Sequence, residues 1–138
     1  MDVTQIPFNK FIEITNSNED DNALALRFKS NMKNHLGTFH ASEQFALAEA
    51  CSGLSLQKNF PHLAESVVPA LRKSDIKFKQ PAQSDIQATS SLEVGEKEKF
   101  EQQLEKKGRA IIAVPVEIKD ENGKTTMVGK YEWFVQKI

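Results

Sequence analysis

Apolar and polar positions along the chain fall into segments with two different periods. Residues 7–16 and 23–28 alternate between apolar and polar side chains, which predicts two strands. The segment 16–22 between them is rich in Asn, Asp and Ser and indicates a turn. Residues 39–59 are rich in Ala and Leu, which predicts one helix that ends before Pro61. Because apolar residues nearly encircle this helix, other elements must wrap around it.

The rest of the chain is dominated by strand signals. Residues 109–118 predict a long apolar strand, and residues 127–137 return as its partner. Between them lies Asn122-Gly123, a dipeptide that favours a tight hairpin turn. Further strands are predicted at 67–68, 75–79 and 85–94.

The order of these elements predicts the class of fold. A charged segment at 96–107, with apolar side chains four apart, adds a short surface helix that ends at Gly108. The order is then two strands, one buried helix and about four strands. One apolar helix with a mostly antiparallel sheet predicts an α+β fold in which the sheet curls around the helix. The 138 residues, 39% of them hydrophobic, suffice for a single domain, which we expect to span 1–138.

Composition and charge exclude several classes of function. The formal net charge of −1 creates no field that would attract nucleic acid or an anionic membrane, and no segment is long and apolar enough to span a bilayer. Three His and one Cys, without the spacing of metal ligands, predict no metal site. The N-terminus resembles no secretory signal and Cys51 has no second cysteine to pair with, so we expect a cytoplasmic protein.

The run of residues 34–53 holds the candidate chemistry. In this run a polar cluster meets the start of the buried helix, and Glu49 lies among Leu, Ala and Cys side chains. An unpaired buried carboxylate is costly, so its presence here indicates a function. Burial would raise the pKa of this carboxyl and suit it to act as a general base or nucleophile. At 100° per residue, Glu49 shares a mixed face with Ser42, Phe45, Ser52 and Leu56, whereas Leu47, Ala50 and Leu54 form an apolar face expected to pack on the sheet.

His40 and Glu49 are nine residues apart on the predicted helix. That spacing turns them to opposite sides and separates them by about 13 Å along the axis, so one helix cannot bring them together. A two-fold dimer can set the helix start of one chain against the middle of the other helix, which gives two shared sites. The free N–H groups of a helix start suit a carbonyl oxygen that becomes an oxyanion.

The same run resembles the acyl-CoA thioesterases of the hotdog fold, notably the phenylacetate-pathway type. That family has an Asn, a His six residues later at the start of the long helix, and an acidic residue nine positions after the His. Asn34, His40 and Glu49 match this spacing, and Pro81-Ala82 is similar to the Pro-Ala pair that ends a strand in the family. The resemblance covers roughly residue 5 to the end. It is closest to a sub-group of poorly defined activity, whose motif corresponds here to Asn34, His35, Gly37, Thr38, Glu49 and Gly53.

The resemblance implies a hotdog fold of five to six strands and a thioesterase that hydrolyses acyl-CoA or another acyl thioester. It implies that Glu49 is the base or nucleophile, that Asn34 positions water or the thioester, and that the amide after His40 polarises the carbonyl. It also implies a homodimer that can pair into a tetramer, and no cofactor beyond the coenzyme A of the substrate. The residues expected to contact the substrate are Gly37, Thr38, Ala41, Ser42 and Phe45.

Two other functions are compatible with this run. Ala41-Ser42 stands where the family has Gly-Gly, and a Cβ there would hinder the approach of a thioester to the backbone N–H. This departure favours a dimer that binds acyl groups without turning them over. His35 lies fourteen residues before Glu49, which is the spacing of the hotdog hydroxyacyl dehydratases, but the Phe-Pro-Gly of those enzymes is absent.

Structural roles are the plainer alternative at each candidate position. Glu49 would pair with a basic group across a dimer, and His40 would only cap the helix. Asn34 would be a turn residue that tolerates unusual backbone angles, and His35 would hydrogen-bond within its loop.

Overall fold

A computed structural model describes residues 1–17 and 22–138. The strands are β1 (Thr15–Asn16), β2 (Leu24–Leu26), β3 (Val67–Phe78), β4 (Ile86–Ser90), β5 (Arg109–Asp120) and β6 (Thr125–Lys137). The helices are α1 (Pro7–Phe11), α2 (Ala41–Asn59) and α3 (Val94–Lys107), with 3₁₀ turns at Val3–Gln5, Ser30–Met32 and Pro61–Leu63. All six strands form one antiparallel sheet in the order β1-β2-β4-β5-β6-β3. The sheet curls around α2, which confirms the predicted α+β architecture.

The long helix α2 begins two residues later than predicted. Phe39 is buried and its ring packs 5.2 Å from that of Phe28, so this residue belongs to the preceding loop. His40 caps the helix, because its Nδ1 accepts a hydrogen bond from the Ser42 N–H at 3.0 Å. At the other end Pro61 opens a 3₁₀ turn, since proline cannot extend the α-helical hydrogen bonding.

The predicted apolar face of α2 is buried. Leu47, Ala50 and Leu54 join one hydrophobic core with inward-facing strand residues such as Ile118. Burial extends beyond this face, because Ser52 is also fully inaccessible to solvent. The small side chains on that side of the helix let the sheet approach it closely.

The hairpin and the charged helix are confirmed. β5 pairs with β6 along nearly its whole length across a turn at residues 120–124. In this turn Asp120 Oδ1 accepts bonds from the N–H groups of Asn122 and Lys124 at 2.9 Å each, and Gly123 has a φ of +77°. Helix α3 ends at Gly108, whose φ of +72° is the left-handed conformation favoured at helix ends.

The predicted strand over residues 7–16 is wrong in its first half, where the chain forms α1. Pro7 occupies the first helical position, for which its fixed φ is suited. Phe8, Phe11 and Ile12 follow helical spacing, with Ile12 buried and the two Phe side chains exposed. Of the predicted break at 16–22, residues 18–21 lie outside the described part of the chain.

The strand signals at 67–68 and 75–79 belong to one strand, β3. Its middle has no apolar alternation, because β3 lies at the edge of the sheet and most of its side chains are exposed. A bulge between Leu71 and Lys73 interrupts its pairing with β6. The predicted strand at 85–94 is shorter than expected, since β4 ends at Ser90 and Val94 already begins α3.

Candidate functional site

Glu49 lies in the middle of α2 and is partly buried. Within the described residues, its carboxylate has neither a hydrogen-bond partner nor an ion-pair partner. Burial raises the pKa of this carboxyl above its ordinary value of 4.5. A carboxylate that is desolvated and left unpaired is available to take a proton from a bound water, which is the chemistry predicted for this residue.

Two aromatic side chains of β6 hold the helical turn that carries Glu49. The hydroxyl of Tyr131 donates a hydrogen bond to the Phe45 carbonyl at 2.9 Å, and their rings lie 5.2 Å apart. The indole N–H of Trp133 donates to the Ser52 hydroxyl at 2.8 Å, and that hydroxyl donates to the Glu49 carbonyl at 2.7 Å. The backbone on both sides of Glu49 is therefore tied to the sheet.

The negative charge of Glu49 also affects the pKa of Tyr131. Its pKa is raised well above the usual range, first because it is buried and second because the negative charge of Glu49 lies nearby. Tyr131 therefore stays protonated and keeps donating its hydrogen bond. Sequence reasoning missed Tyr131 and Trp133 as site residues. Tyr131 and Trp133 are two positions apart on the predicted strand 127–137, so the sequence could have shown that they share one face of the sheet.

The loop before α2 is organised by Asn34. Its Oδ1 accepts hydrogen bonds from the N–H groups of Leu36 and Thr38 at 2.9 and 3.1 Å. Its Nδ2 donates to the Thr38 hydroxyl at 2.9 Å and to the Phe39 carbonyl at 3.4 Å. Gly37 takes a φ of +77° in this loop. These four bonds use all the hydrogen-bonding capacity of the Asn34 side chain, and all of them hold the conformation of the loop.

The loop is also anchored to the 3₁₀ turn before it and to the loop between β3 and β4. The Phe39 N–H donates to the carbonyl of the fully buried Ala82, and the His40 N–H donates to the Met32 carbonyl, both at 2.8 Å. Pro81-Ala82, singled out in the sequence, thus lies directly against the residues that lead into the helix. These two bonds set the position at which α2 begins.

Within residues 1–17 and 22–138, one backbone N–H at the mouth of α2, that of Ala41, has no hydrogen-bond acceptor. His40 Nδ1 accepts from the Ser42 N–H and so carries no proton, although Glu43 Oε2 lies 3.8 Å from it. Among the residues that the structure describes, nothing accepts a bond from the Ala41 N–H. This amide, the one directly after His40, is therefore open to a ligand, as expected at the first position of a helix.

The predicted site residues form two groups in this chain. Six lie together at the helix mouth, whereas Phe45 and Glu49 lie one to two turns further along α2. The structure brings neither His40 nor His35 into contact with Glu49, and the exposed position of His35 lends no support to a dehydratase. The residues at the helix mouth are Asn34, Gly37, Thr38, His40, Ala41 and Ser42.

Other functional features are absent from the part of the chain that the structure describes. No helix there has both the length and the apolar character needed to cross a membrane. No three His, Cys, Asp or Glu side chains of residues 1–17 and 22–138 converge as metal ligands would. The expectations of no metal and no cofactor stay predictions.

One antiparallel sheet curled around one long helix defines the hotdog class of fold, and solved structures share it. A protein of unknown function from Pseudomonas aeruginosa, described as a probable thioesterase, is 20% identical, with a TM-score of 0.80 over 99% of this chain and 91% of that one. A Haemophilus influenzae thioesterase is 15% identical, with a TM-score of 0.69 over 98% and 86%. A Bacillus halodurans protein with CoA is 17% identical, with a TM-score of 0.70 over 93% and 74%.

The family itself is shown by sequence. The model of a family described as a domain of unknown function, DUF4442, matches residues 6–135, and the chain belongs to that family. A comparison with curated proteins found no match. At identities of 15 to 20%, the solved structures establish the fold and leave the activity to be argued from the site.

Proposed function

We propose that this protein is a thioesterase that hydrolyses an acyl-CoA thioester. The observation that carries the proposal is the unpaired, partly buried carboxylate of Glu49, on a turn of the long helix whose backbone is tied to β6. Solved structures of the same fold include proteins called thioesterases and one with CoA, which supports this substrate class. The spacing of Asn34, His40 and Glu49 further supports the phenylacetate-pathway type.

The reaction needs three parts. Glu49 takes a proton from water, whose oxygen adds to the thioester carbonyl carbon, or the carboxylate itself adds first to form an anhydride that water then opens. The carbonyl oxygen becomes an oxyanion and accepts a hydrogen bond from the Ala41 N–H at the positive end of the helix dipole. On the general-base route the carbon–sulfur bond breaks and the proton held by Glu49 passes to the departing thiolate of coenzyme A. On the anhydride route the thiolate leaves first, and the water that then opens the anhydride supplies its proton and regenerates the Glu49 carboxylate.

Glu49 and the Ala41 amide can act on the same carbonyl only in a dimer. In one chain the Ala41 N–H and Glu49 are eight residues apart, or about 12 Å along the helix, and cannot reach one carbonyl together. β3 is a twelve-residue strand at the sheet edge, paired on one side with β6. A second copy paired along β3 would cover this edge and set the two α2 helices side by side in opposite directions. Each site then combines Glu49 of one copy with the helix mouth of the other.

The remaining residues of the helix mouth position the substrate. Asn34, Gly37 and Thr38 form the loop that fixes the start of α2, and His40 caps it. Ala41 and Ser42 are exposed beside the free amide, where they contact the thioester. Phe45 packs on Tyr131 next to the carboxylate. In this proposal Asn34 and His40 are positioning residues.

The test is release of free thiol from a panel of acyl-CoAs. Glu49→Gln removes the base but keeps the size of the side chain, and we expect turnover to fall about 10²- to 10⁴-fold. The matched control is Glu98→Gln, an exposed position on α3, which should leave turnover unchanged. Thiol release that survives Glu49→Gln would contradict the mechanism, and no release from any acyl-CoA would contradict the activity.

The dimer has its own measurement. Sedimentation equilibrium should give twice the 15.5 kDa of the chain, and a tetramer would appear as four times that mass. Because each site needs both copies, thiol release per chain should decline when dilution separates the dimer. A monomer with full activity would rule out a shared site.

A second candidate is an acyl-binding dimer without turnover. Ala41 and Ser42 put Cβ atoms beside the amide where the acyl-CoA thioesterases that this run resembles have two glycines, and this departure favours the alternative. It predicts saturable binding of acyl-CoA with no thiol released. Ala41→Gly separates the two cases, because it should raise turnover if the Cβ obstructs the amide.

A further inference from the structure

An apolar groove of about 580 Å³ lies along the second half of α2 and begins at Gly53, one helical turn beyond Glu49. One wall is the second half of the helix, with Gly53, Leu56 and Phe60, and the facing wall is β6, with Trp133 and Val135. The N-terminal segment and the start of β3 close its sides. None of the described residues that line it carries a charged side chain, and Gln57 is the only one that ends in an amide.

The groove and the carboxylate lie on the same seam between helix and sheet. Glu49, Gly53 and Gln57 are each four residues apart, so they form one stripe along the helix. On β6, Tyr131 lies near Glu49 and Trp133 lies next to Gly53. A molecule whose reacting carbonyl lies at Glu49 can therefore extend along this stripe into the groove.

Gly53 opens the groove at the end nearest Glu49. A Cβ added to Gly53 would lie 3.8 Å from the Trp133 ring, which is ordinary contact, so alanine fits there and any larger side chain fills the gap. The Trp133 N–H is already used by Ser52, and the indole therefore offers the groove an apolar face. At the end of α2 the Phe60 ring packs 4.8 Å from the Phe100 ring, and both rings line the groove.

We propose that this groove holds the hydrocarbon chain of an aliphatic acyl thioester of about twelve to fourteen carbons, with Gly53 and Trp133 as specificity-determining residues. The proposal rests on the thioesterase function above. Glu49 and Phe60 are eleven residues apart, or about 16 Å along the helix. An extended chain advances about 1.25 Å per methylene, given a bond of about 1.5 Å at the tetrahedral angle, so about thirteen carbons span this length. The apolar lining disfavours polar or hydroxylated acyl groups.

The test uses the emission of Trp133, the only tryptophan of the chain, and does not depend on turnover. The Glu49→Gln variant, which should hydrolyse its ligand far more slowly than the parent, is titrated with acetyl-, octanoyl-, dodecanoyl- and hexadecanoyl-CoA and with coenzyme A alone. Affinity should rise about fourfold per methylene, at about 0.8 kcal/mol each, up to about dodecanoyl and then level off. Emission should change with the long chains and stay constant with coenzyme A.

Two substitutions at Gly53 locate the chain in the groove. Gly53 lies four residues, or about 6 Å, beyond Glu49, so Gly53→Leu should abolish the gain in affinity for octanoyl- and dodecanoyl-CoA alike while leaving acetyl-CoA unaffected. Gly53→Ala, which only narrows the groove, should lower these affinities less. The matched control is Gly95→Leu on α3, where the space around the glycine is open and away from the groove. Dodecanoyl affinity that survives Gly53→Leu would overturn the proposal.

Other results of these binding and sedimentation experiments would also decide whether the groove holds an acyl chain. Equal affinity for acetyl- and dodecanoyl-CoA would show that the groove holds no acyl chain. Loss of the dimer in Gly53→Leu, seen by sedimentation, would show that a second copy fills the groove, and would overturn the proposal too. Thiol release that requires Glu49 but ignores chain length would refute only this inference. Length-dependent binding without thiol release would refute only the hydrolytic activity.

Discussion

Trp133 donates its indole N–H to the hydroxyl of Ser52, 81 positions earlier in the chain, across 2.8 Å. Ser52 is fully buried, and its hydroxyl donates a hydrogen bond to the Glu49 carbonyl at 2.7 Å. This two-bond chain connects the sheet to the helical turn that carries the candidate base. It explains why a polar serine occupies the packed side of α2, where each buried polar group needs a partner.

A double-mutant cycle on this pair should show coupling. Ser52→Ala and Trp133→Phe each remove one partner of the bond, and the double variant removes both. We expect a coupling free energy of about 0.5–1.5 kcal/mol, measured by urea unfolding of the three variants and the parent. Additive effects would mean that the bond contributes no stability. Glu98→Gln in place of Ser52→Ala provides an uncoupled pair for comparison.

Glu49→Gln should change stability in a pH-dependent way. Because burial raises the pKa of the folded carboxyl above its ordinary 4.5, the folded chain still holds this proton at pH values where the unfolded chain has lost it. The stability associated with Glu49 is therefore full below pH 4.5 and declines as pH rises through the folded pKa. Glutamine does not titrate, so the free energy of unfolding of the variant, measured with urea, should increase relative to that of the parent between pH 4 and pH 7. A difference that does not vary with pH would contradict the raised pKa.

The hydrolytic rate should depend on the same titration. Only the ionised carboxylate can accept a proton, so kcat/KM should fall as pH decreases through the pKa of Glu49, at a midpoint above 4.5. Rate profiles of the parent between pH 4 and pH 8 measure this midpoint. The residual activity of Glu49→Gln should lack this inflection. If the inflection remained in the variant, the titration would belong to another group.

Two glycines should respond to alanine in opposite directions. Gly53 lies inside α2, where a Cβ meets only ordinary contacts, so Gly53→Ala should stabilise the fold by about 0.5–1 kcal/mol. Gly37 has a φ of +77°, which side chains rarely adopt, so Gly37→Ala should destabilise by about 1 kcal/mol. Thermal unfolding of the two variants measures both changes, and the same sign for both would contradict the assignment.

Asn34→Ala should weaken the loop before α2. It removes a side chain that makes four hydrogen bonds and leaves the N–H of the buried Thr38 without its side-chain acceptor, at a cost of about 1–3 kcal/mol. Urea unfolding measures the loss. Thr38→Val, which removes only one of these partners, should cost less. Full stability of Asn34→Ala together with lost turnover would instead place Asn34 in contact with the substrate.

Local signals in the sequence predicted much of this fold. The turn at Asn122-Gly123, the helix stop at Gly108 and the apolar composition of α2 each act within a few residues, so they can be recognised along the chain. α1 was missed because an isolated five-residue helix has almost no periodic signal, and its stability comes from packing Ile12 into the core. The sequence predicts two separate strands within β3, because an exposed edge strand has no buried face that would impose an alternation of apolar and polar residues. The single-domain extent of 1–138 stays a prediction.

The sequence by itself determined where an unusual carboxylate stands in an apolar helix, and helical geometry excluded its cooperation with His40 in one chain. Only the tertiary structure decided what surrounds Glu49. Tyr131 and Trp133 reach its helical turn from more than 80 residues away, and the groove beyond Gly53 exists because α2, β6 and the N-terminal segment converge. Such contacts depend on strand order and on how the sheet curls, which are set by the packing of the whole core and leave no local pattern in the chain.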